Sequence, residues 1–140
     1  MRFLIVDDDE RFLEAFQQFL WDSGHDAETA KDGLTCQAIL RRSTPDVLII
    51  AQCLLCGSEG VFASISENGH LAKLSVIVLA NDHDMSFEIR ENPHVVAWLQ
   101  KPFQLSDAMS QIAAAIHIEQ RPPRQAFSSR ERLSRVSNGV

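Results

Sequence analysis

The stretch Pro45-Asp46-Val47-Leu48-Ile49-Ile50-Ala51 decides the fold of this 140-residue chain. Four branched aliphatic residues in succession follow a Pro-Asp pair that is typical of a turn. An apolar run of this length without alternation predicts a strand buried on both faces, as in the middle of a parallel sheet covered by helices. The carboxyl end of such a strand is where an open parallel sheet places its functional residues. That position is Ala51, whose methyl group supplies no chemistry.

Strands and helices are predicted to alternate on both sides of this run. Four further strands are predicted at 2–6, 25–30, 75–80 and 95–99. Helices are predicted from an N-cap at Asp9 to Gly24, at 34–42, at 58–68, near 85–91, and after Phe103. Five strands that alternate with five helices predict an α/β domain with a parallel sheet, right-handed crossovers and helices on both faces.

The charge of the chain is unevenly distributed. Residues 1–120 carry 8 basic and 18 acidic residues, a formal charge of −10, whereas residues 121–140 carry five arginines and one glutamate. We therefore expect a domain over 1–120 and a basic tail over 121–140 that is disordered or loosely attached. The acidic body disfavours nucleic acid as a partner.

Composition also limits the compartment in which we expect the chain. No apolar run approaches the roughly 18–20 residues that a membrane span needs. The first seven residues reach acidic sequence too soon for a signal peptide, so we expect a cytoplasmic protein without a membrane segment. Three cysteines, an odd number, argue against a disulfide framework.

Two motifs flank the predicted sheet. Asp7-Asp8 follows the first strand, and Lys101-Pro102-Phe103 follows the fifth. Together with the order of elements, these motifs resemble the receiver domain of bacterial two-component response regulators over about residues 1–119. The resemblance implies a flavodoxin-like, doubly wound five-stranded parallel sheet in the order 2-1-3-4-5, with five helices and a cis peptide bond between Lys101 and Pro102.

The resemblance also implies a phosphorylation site that this chain has lost. In receiver domains an acidic pair binds Mg²⁺, and an aspartate ending the third strand accepts phosphate from a histidine kinase. A Ser or Thr ending the fourth strand and a lysine after the fifth bind the phosphoryl oxygens. Asp7, Asp8 and Lys101 match that pattern, but the phosphoacceptor position is Ala51 and the hydroxyl position is Ala80. The chain therefore resembles a degenerate receiver, or pseudo-receiver.

From this resemblance we expect no enzyme but a signalling module that binds a protein partner, a signalling protein or a histidine kinase, without being phosphorylated. The partner surface of receivers corresponds here to about residues 85–91, 95–99 and 105–119. Trp98 stands three residues before the lysine, where the family often has Tyr or Phe. We expect it either to pack statically against the last helix or to anchor a partner.

Three alternatives stay open from the sequence. Asp7 and Asp8 form either a weak residual Mg²⁺ site or an acidic cluster neutralised by Lys101, with no other cofactor expected. The chain could instead be phosphorylated at a non-standard residue. Cys53 and Cys56 form a Cys-x-x-Cys pair in the predicted loop after the central strand, a spacing that also occurs in redox and metal sensors.

Overall fold

A single parallel sheet forms the centre of the computed structural model, which describes residues 1–55, 60–80, 89 and 91–116. Its five strands are ordered β2-β1-β3-β4-β5, and every neighbouring pair is parallel. The strands are β1 (Arg2–Val6), β2 (Asp26–Ala30), β3 (Val47–Ala51), β4 (Ser75–Ala80) and β5 (Val95–Gln100). The predicted flavodoxin-like architecture and strand order are confirmed.

Helices cover both faces of this sheet. They are α1 (Glu10–Asp22), α2 (Gly33–Arg42), α3 (Gln52–Leu55), α4 (Val61–Glu67) and α5 (Leu105–Ile116), with a 3₁₀ turn at Gly69–Leu71. The helix predicted near 85–91 lies almost entirely outside the described residues. The predicted tail, 121–140, also lies outside them, so the domain boundary near residue 120 stays a prediction.

The segment after β3 corrects the sequence-based prediction of a loop there. Residues Gln52–Leu55 form one helical turn, and Leu55 is buried in the core while Leu54 packs against it. Burial of these two leucines on the sheet favours a helical turn over an extended loop. The predicted helix over 58–68 begins only at Val61, because Gly60 before it adopts a left-handed backbone with φ +67°.

Two hydrophobic cores lie on opposite faces of the sheet. One packs α1 and α5 against alternate strand residues that include Ile5, Ile49 and Ile77. The other packs α2 and α4 against the intervening residues, which include Leu48 and Val78. β3 is buried along its whole length, as its sequence predicts. This central strand therefore fixes both layers at once.

Capping residues orient the first helix at the carboxyl end of β1. The carboxylate of Asp9 accepts hydrogen bonds from the backbone N–H groups of Arg11 and Phe12, which confirms the predicted N-cap. At the other end, Gly24 adopts φ +88°, a backbone conformation that glycine reaches without a steric penalty. Both ends of α1 are thus set by local sequence.

Shortening a side chain of the central strand tests whether that strand forms the core of the sheet. Ile49→Ala should lower the free energy of unfolding by about 2–5 kcal/mol, because it leaves a cavity between two helix layers. Chemical denaturation measures the effect, and Leu34→Ala is the control because Leu34 is 69% exposed. A loss of less than about 0.5 kcal/mol for Ile49→Ala would mean that the strand is not the core of the sheet.

The environment of His25 should make the free energy of unfolding depend on pH. Partial burial, followed by the nearby N-terminal ammonium, lowers the pKa of His25 below its ordinary value of 6.5. The unfolded chain therefore takes up this proton more readily than the folded chain does. Stability should be fully present above pH 6.5 and should fall as the pH drops below that value.

Urea denaturation over a pH series checks this expectation. The fall in stability just below pH 6.5 should be reduced in His25→Gln, whose side chain does not titrate. An identical pH profile in the wild type and in the variant would contradict this role of His25.

Candidate functional site

The residues singled out by sequence meet at the carboxyl edge of the sheet. Asp7 directly follows β1, Ala51 ends β3, Ala80 ends β4, and Lys101 directly follows β5. Their strands are parallel neighbours in the order β1-β3-β4-β5, so these ends lie side by side. The backbone N–H of Lys101 donates to the carbonyl of Ala80 at 2.9 Å, which joins two of these positions directly.

Asp7 is a buried carboxylate whose two oxygens both have partners. Its side chain is 1% exposed, and it is the one buried polar or charged residue among those described. Oδ2 accepts from the ammonium of Lys101 at 2.5 Å, and Oδ1 accepts from the backbone N–H of Asp9 at 2.9 Å. A carboxylate at this depth requires such compensation, because leaving a buried charge unpaired is strongly destabilising.

Lys101 is held between a carboxylate and an aromatic ring. Its Nζ lies 4.3 Å from the centroid of the Phe12 ring, a cation–π distance, and its side chain is 24% exposed. Phe12 in turn contacts Phe103 edge to face, with 5.9 Å between the ring centroids. The Lys101-Pro102 peptide bond is cis, as the resemblance implies.

Phe12 is the contact that sequence reasoning missed. It belongs to α1 and packs against the core on that side of the sheet. It also lies three residues after the N-cap Asp9, so it stands in the first turn of α1 at the carboxyl edge of the sheet. An aromatic residue in that turn, together with a lysine after the last strand, is the sequence pattern that could have predicted this cation–π contact.

The carboxylates of the acidic run Asp7-Asp8-Asp9 lie in three different environments. Asp7 is paired with Lys101, Asp9 caps α1, and Asp8 is exposed at the surface. The resemblance implies that Asp7 and Asp8 bind a cation together. Their side chains instead lie in different environments, one buried and one in solvent.

Ala51 and Ala80 place methyl groups at the carboxyl ends of the two central strands. Both residues are buried, and Ala80 belongs to the apolar core on the α2 and α4 face. A methyl group can neither attack phosphorus nor bind a metal ion. Asp46, the other carboxylate near β3, lies at the opposite end of that strand and accepts from the backbone N–H of Arg2 at 2.8 Å. Asp46 is therefore remote from the carboxyl edge of the sheet.

Cys53 lies in α3, near the carboxylates of Asp7 and Asp8. Partial burial, followed by the carboxylates of Asp8 and Asp7, raises the pKa of the Cys53 thiol, which disfavours the reactive thiolate. Cys56, its proposed partner, lies outside the described residues. Within the described part of the chain, no group of three or more His, Cys, Asp or Glu is placed to hold a metal ion.

The cysteines give a simple chemical prediction. With iodoacetamide at neutral pH, Cys53 should be alkylated more slowly than a free cysteine, and faster as the pH rises. Cys36 is the internal control, because burial raises its pKa to about 12 and it should react only on unfolding. Mass spectrometry of peptides reports each site. Labelling of Cys53 faster than free cysteine would support a redox function instead.

The edge strand β5 exposes two apolar side chains. Trp98 is 48% exposed and Val96 is 41% exposed. Trp98 is in register with Val78 of the α2 and α4 core, whereas Ala97 and Leu99 pack on the core that contains α5. Trp98 is thus not the residue that packs β5 against the last helix. It is available as a contact residue, the other role expected from the sequence.

No helix in the described part of the chain has both the length and the apolar character needed to cross a membrane. Comparison with protein-family models finds no match. Comparison with curated protein sequences finds none either.

Solved structures do match this chain. The chemotaxis response regulator CheY4 of Vibrio cholerae superposes with a TM-score of 0.70 at 20% identity, covering 81% of this chain and 97% of that one. A response regulator receiver protein from Burkholderia phymatum gives 0.65 at 24% identity, with 86% and 98% covered. The Francisella response regulator 1452 receiver domain gives 0.66 at 18% identity, with 83% and 96% covered.

The chain has the receiver fold. At these levels of sequence identity the likeness establishes the fold alone. At the carboxyl edge of this fold, two of the polar groups expected from the resemblance are methyls, those of Ala51 and Ala80.

Proposed function

We propose that this chain is a non-catalytic signalling module of the receiver type, which acts in two-component signalling by binding a protein partner without being phosphorylated. The observation that carries the proposal is the pair of buried methyl groups at Ala51 and Ala80. Phosphoryl transfer to a receiver requires a carboxylate nucleophile and polar partners for the equatorial oxygens. Neither Ala51 nor Ala80 supplies one of these groups.

The remaining polar residues support the same conclusion. Lys101 is the one matched residue that could contact a phosphoryl group, and its ammonium is paired with Asp7 at 2.5 Å. A ligand shifts a conformational equilibrium only through different affinities for its two states. Without a covalent bond to residue 51, phosphate should bind the two conformational states with similar affinity and should not shift the equilibrium between them. The chain then signals through a binding surface that keeps one conformation.

β5 is the best described candidate for that surface. Trp98 and Val96 are exposed on an edge strand, and tryptophan is enriched among the residues that dominate binding energy. A partner that buries both side chains would gain apolar contact without rearranging the core. In keeping with the receiver fold, we propose a signalling protein, such as a histidine kinase, as the partner class.

Phosphodonor treatment tests independence from phosphorylation. The partner is first captured from the native lysate with the full chain, and its affinity is then measured in magnesium with and without acetyl phosphate. We expect equal affinities, no mass increase on the chain, and no response to beryllofluoride. A change of about tenfold or more, together with the mass of one phosphate, would establish phosphorylation at a non-standard residue instead.

Substitution at β5 tests the proposed surface. Trp98→Ala should weaken partner binding by about 2 kcal/mol or more if Trp98 is a central contact. Trp21→Ala is a matched control, because Trp21 is 50% exposed at the end of α1, away from β5. Equal effects of the two substitutions, or none for Trp98→Ala, would place the partner surface elsewhere.

A further inference from the structure

We infer that the Lys101 ammonium occupies the role that a magnesium ion has in receiver domains, so that this chain carries its cation as a side chain and excludes the divalent ion. The inference goes beyond the proposed function, since a protein-binding module could equally hold magnesium. It concerns the fit of the residues at the carboxyl edge to a divalent cation.

The residues present do not fit magnesium. Mg²⁺ prefers octahedral coordination by oxygen, with one or two carboxylates and several waters. Asp7 is the buried carboxylate at the site, and both of its oxygens already accept hydrogen bonds, from Lys101 and from the Asp9 backbone. Ala51 supplies no side-chain oxygen, and Asp8 lies in solvent. A metal ion at Asp7 would lie beside the Lys101 ammonium, whose positive charge repels it.

The ammonium is well suited to the place it takes. It is a compact point charge with three donors, and it lies 2.5 Å from the Asp7 carboxylate and 4.3 Å from the centre of the Phe12 ring. The carboxylate and the ring both attract a cation, and they do so in a partly buried site where electrostatic interactions are strong. The buried charge of Asp7 is thereby compensated without an ion from solution.

The main chain keeps this cation in position. Lys101 follows β5 directly, and its backbone N–H is bound to the carbonyl of Ala80. Asp7 follows β1, and its backbone N–H donates to Ala30 at the end of β2. The ion pair thus links the ends of strands that lie apart in the sheet. Because the ammonium is covalently part of the chain, it occupies the site at any magnesium concentration in solution.

Metal titration of the full chain tests the inference. Mg²⁺ is titrated into the wild type, Lys101→Met and Lys31→Met, with calorimetry and the magnesium-dependent shift in melting temperature as readouts. Lys31 is the matched control, because it pairs with Glu10 at 3.8 Å through side chains that are both largely exposed. Both variants remove one lysine charge, but only one of them removes the charge that faces Asp7.

We expect no saturable binding in the wild type or in Lys31→Met. Lys101→Met should bind Mg²⁺ saturably, at least about tenfold more tightly than the weakest binding that the wild-type titration would detect, because a buried carboxylate is then left without its cation. Adding Asp7→Asn to Lys101→Met should abolish that gain. The melting temperature of Lys101→Met should rise with magnesium, whereas that of the wild type should not.

Two results would overturn the inference. One is saturable binding to the wild type that Asp8→Asn weakens, which would show that the acidic pair still holds an ion. The other is a folded Lys101→Met that gains no affinity, which would show that Ala51 alone excludes the metal. If Lys101→Met does not fold, Lys101→Gln takes its place, and Mn²⁺ broadening of the wild-type Asp7 and Asp9 amide signals tests exclusion directly. Selective broadening there contradicts the inference.

Discussion

An ion pair between the buried Asp7 and the partly buried Lys101 sets the geometry at the carboxyl edge of this protein. Transfer of a carboxylate out of water is costly, and the cost is offset only where a cation and further hydrogen bonds are in place. Here the cation comes from the segment after β5 and the remaining hydrogen bond from the start of α1. The pair therefore holds the ends of β1 and β5, the first and last strands in chain order, in one geometry, while the core beneath it determines where those strands lie.

The apolar character of the central strands continues to their ends, and the proposal of a module that is not phosphorylated rests on those two positions. In β3 and β4 the terminal residues, Ala51 and Ala80, are as buried as the residues before them. The leucines of α3 then extend the apolar layer over the end of β3. The carboxyl ends of β3 and β4 are thus part of the core. Exposed apolar side chains, those of Val96 and Trp98, lie on the neighbouring strand β5.

Local patterns in the sequence predict most of the fold, whereas long-range contacts set the details of the site. The run Val47–Ala51 predicts the central strand, and Asp9 predicts the start of α1, because burial on both faces and capping have local signatures. The helical turn Gln52–Leu55 is missed, since what stabilises it is the burial of leucines against distant strands. The position of the Lys101 ammonium over Phe12 is missed for the same reason: 89 residues separate the two in sequence.

The pairing of β4 with β5 has a consequence for self-association. Val76 pairs with Val95 and Ile77 with Ala97, so Val96 is an additional residue in the edge strand. Such a bulge bends a strand and increases its twist, which makes its outer edge a poor template for another strand. Val96 and Trp98 can thus stay exposed without inviting sheet extension between copies. The exposed side chains of β5 can contact a partner, whereas its bent backbone disfavours pairing with a strand of another copy. The same edge can therefore bind a protein without promoting polymerisation.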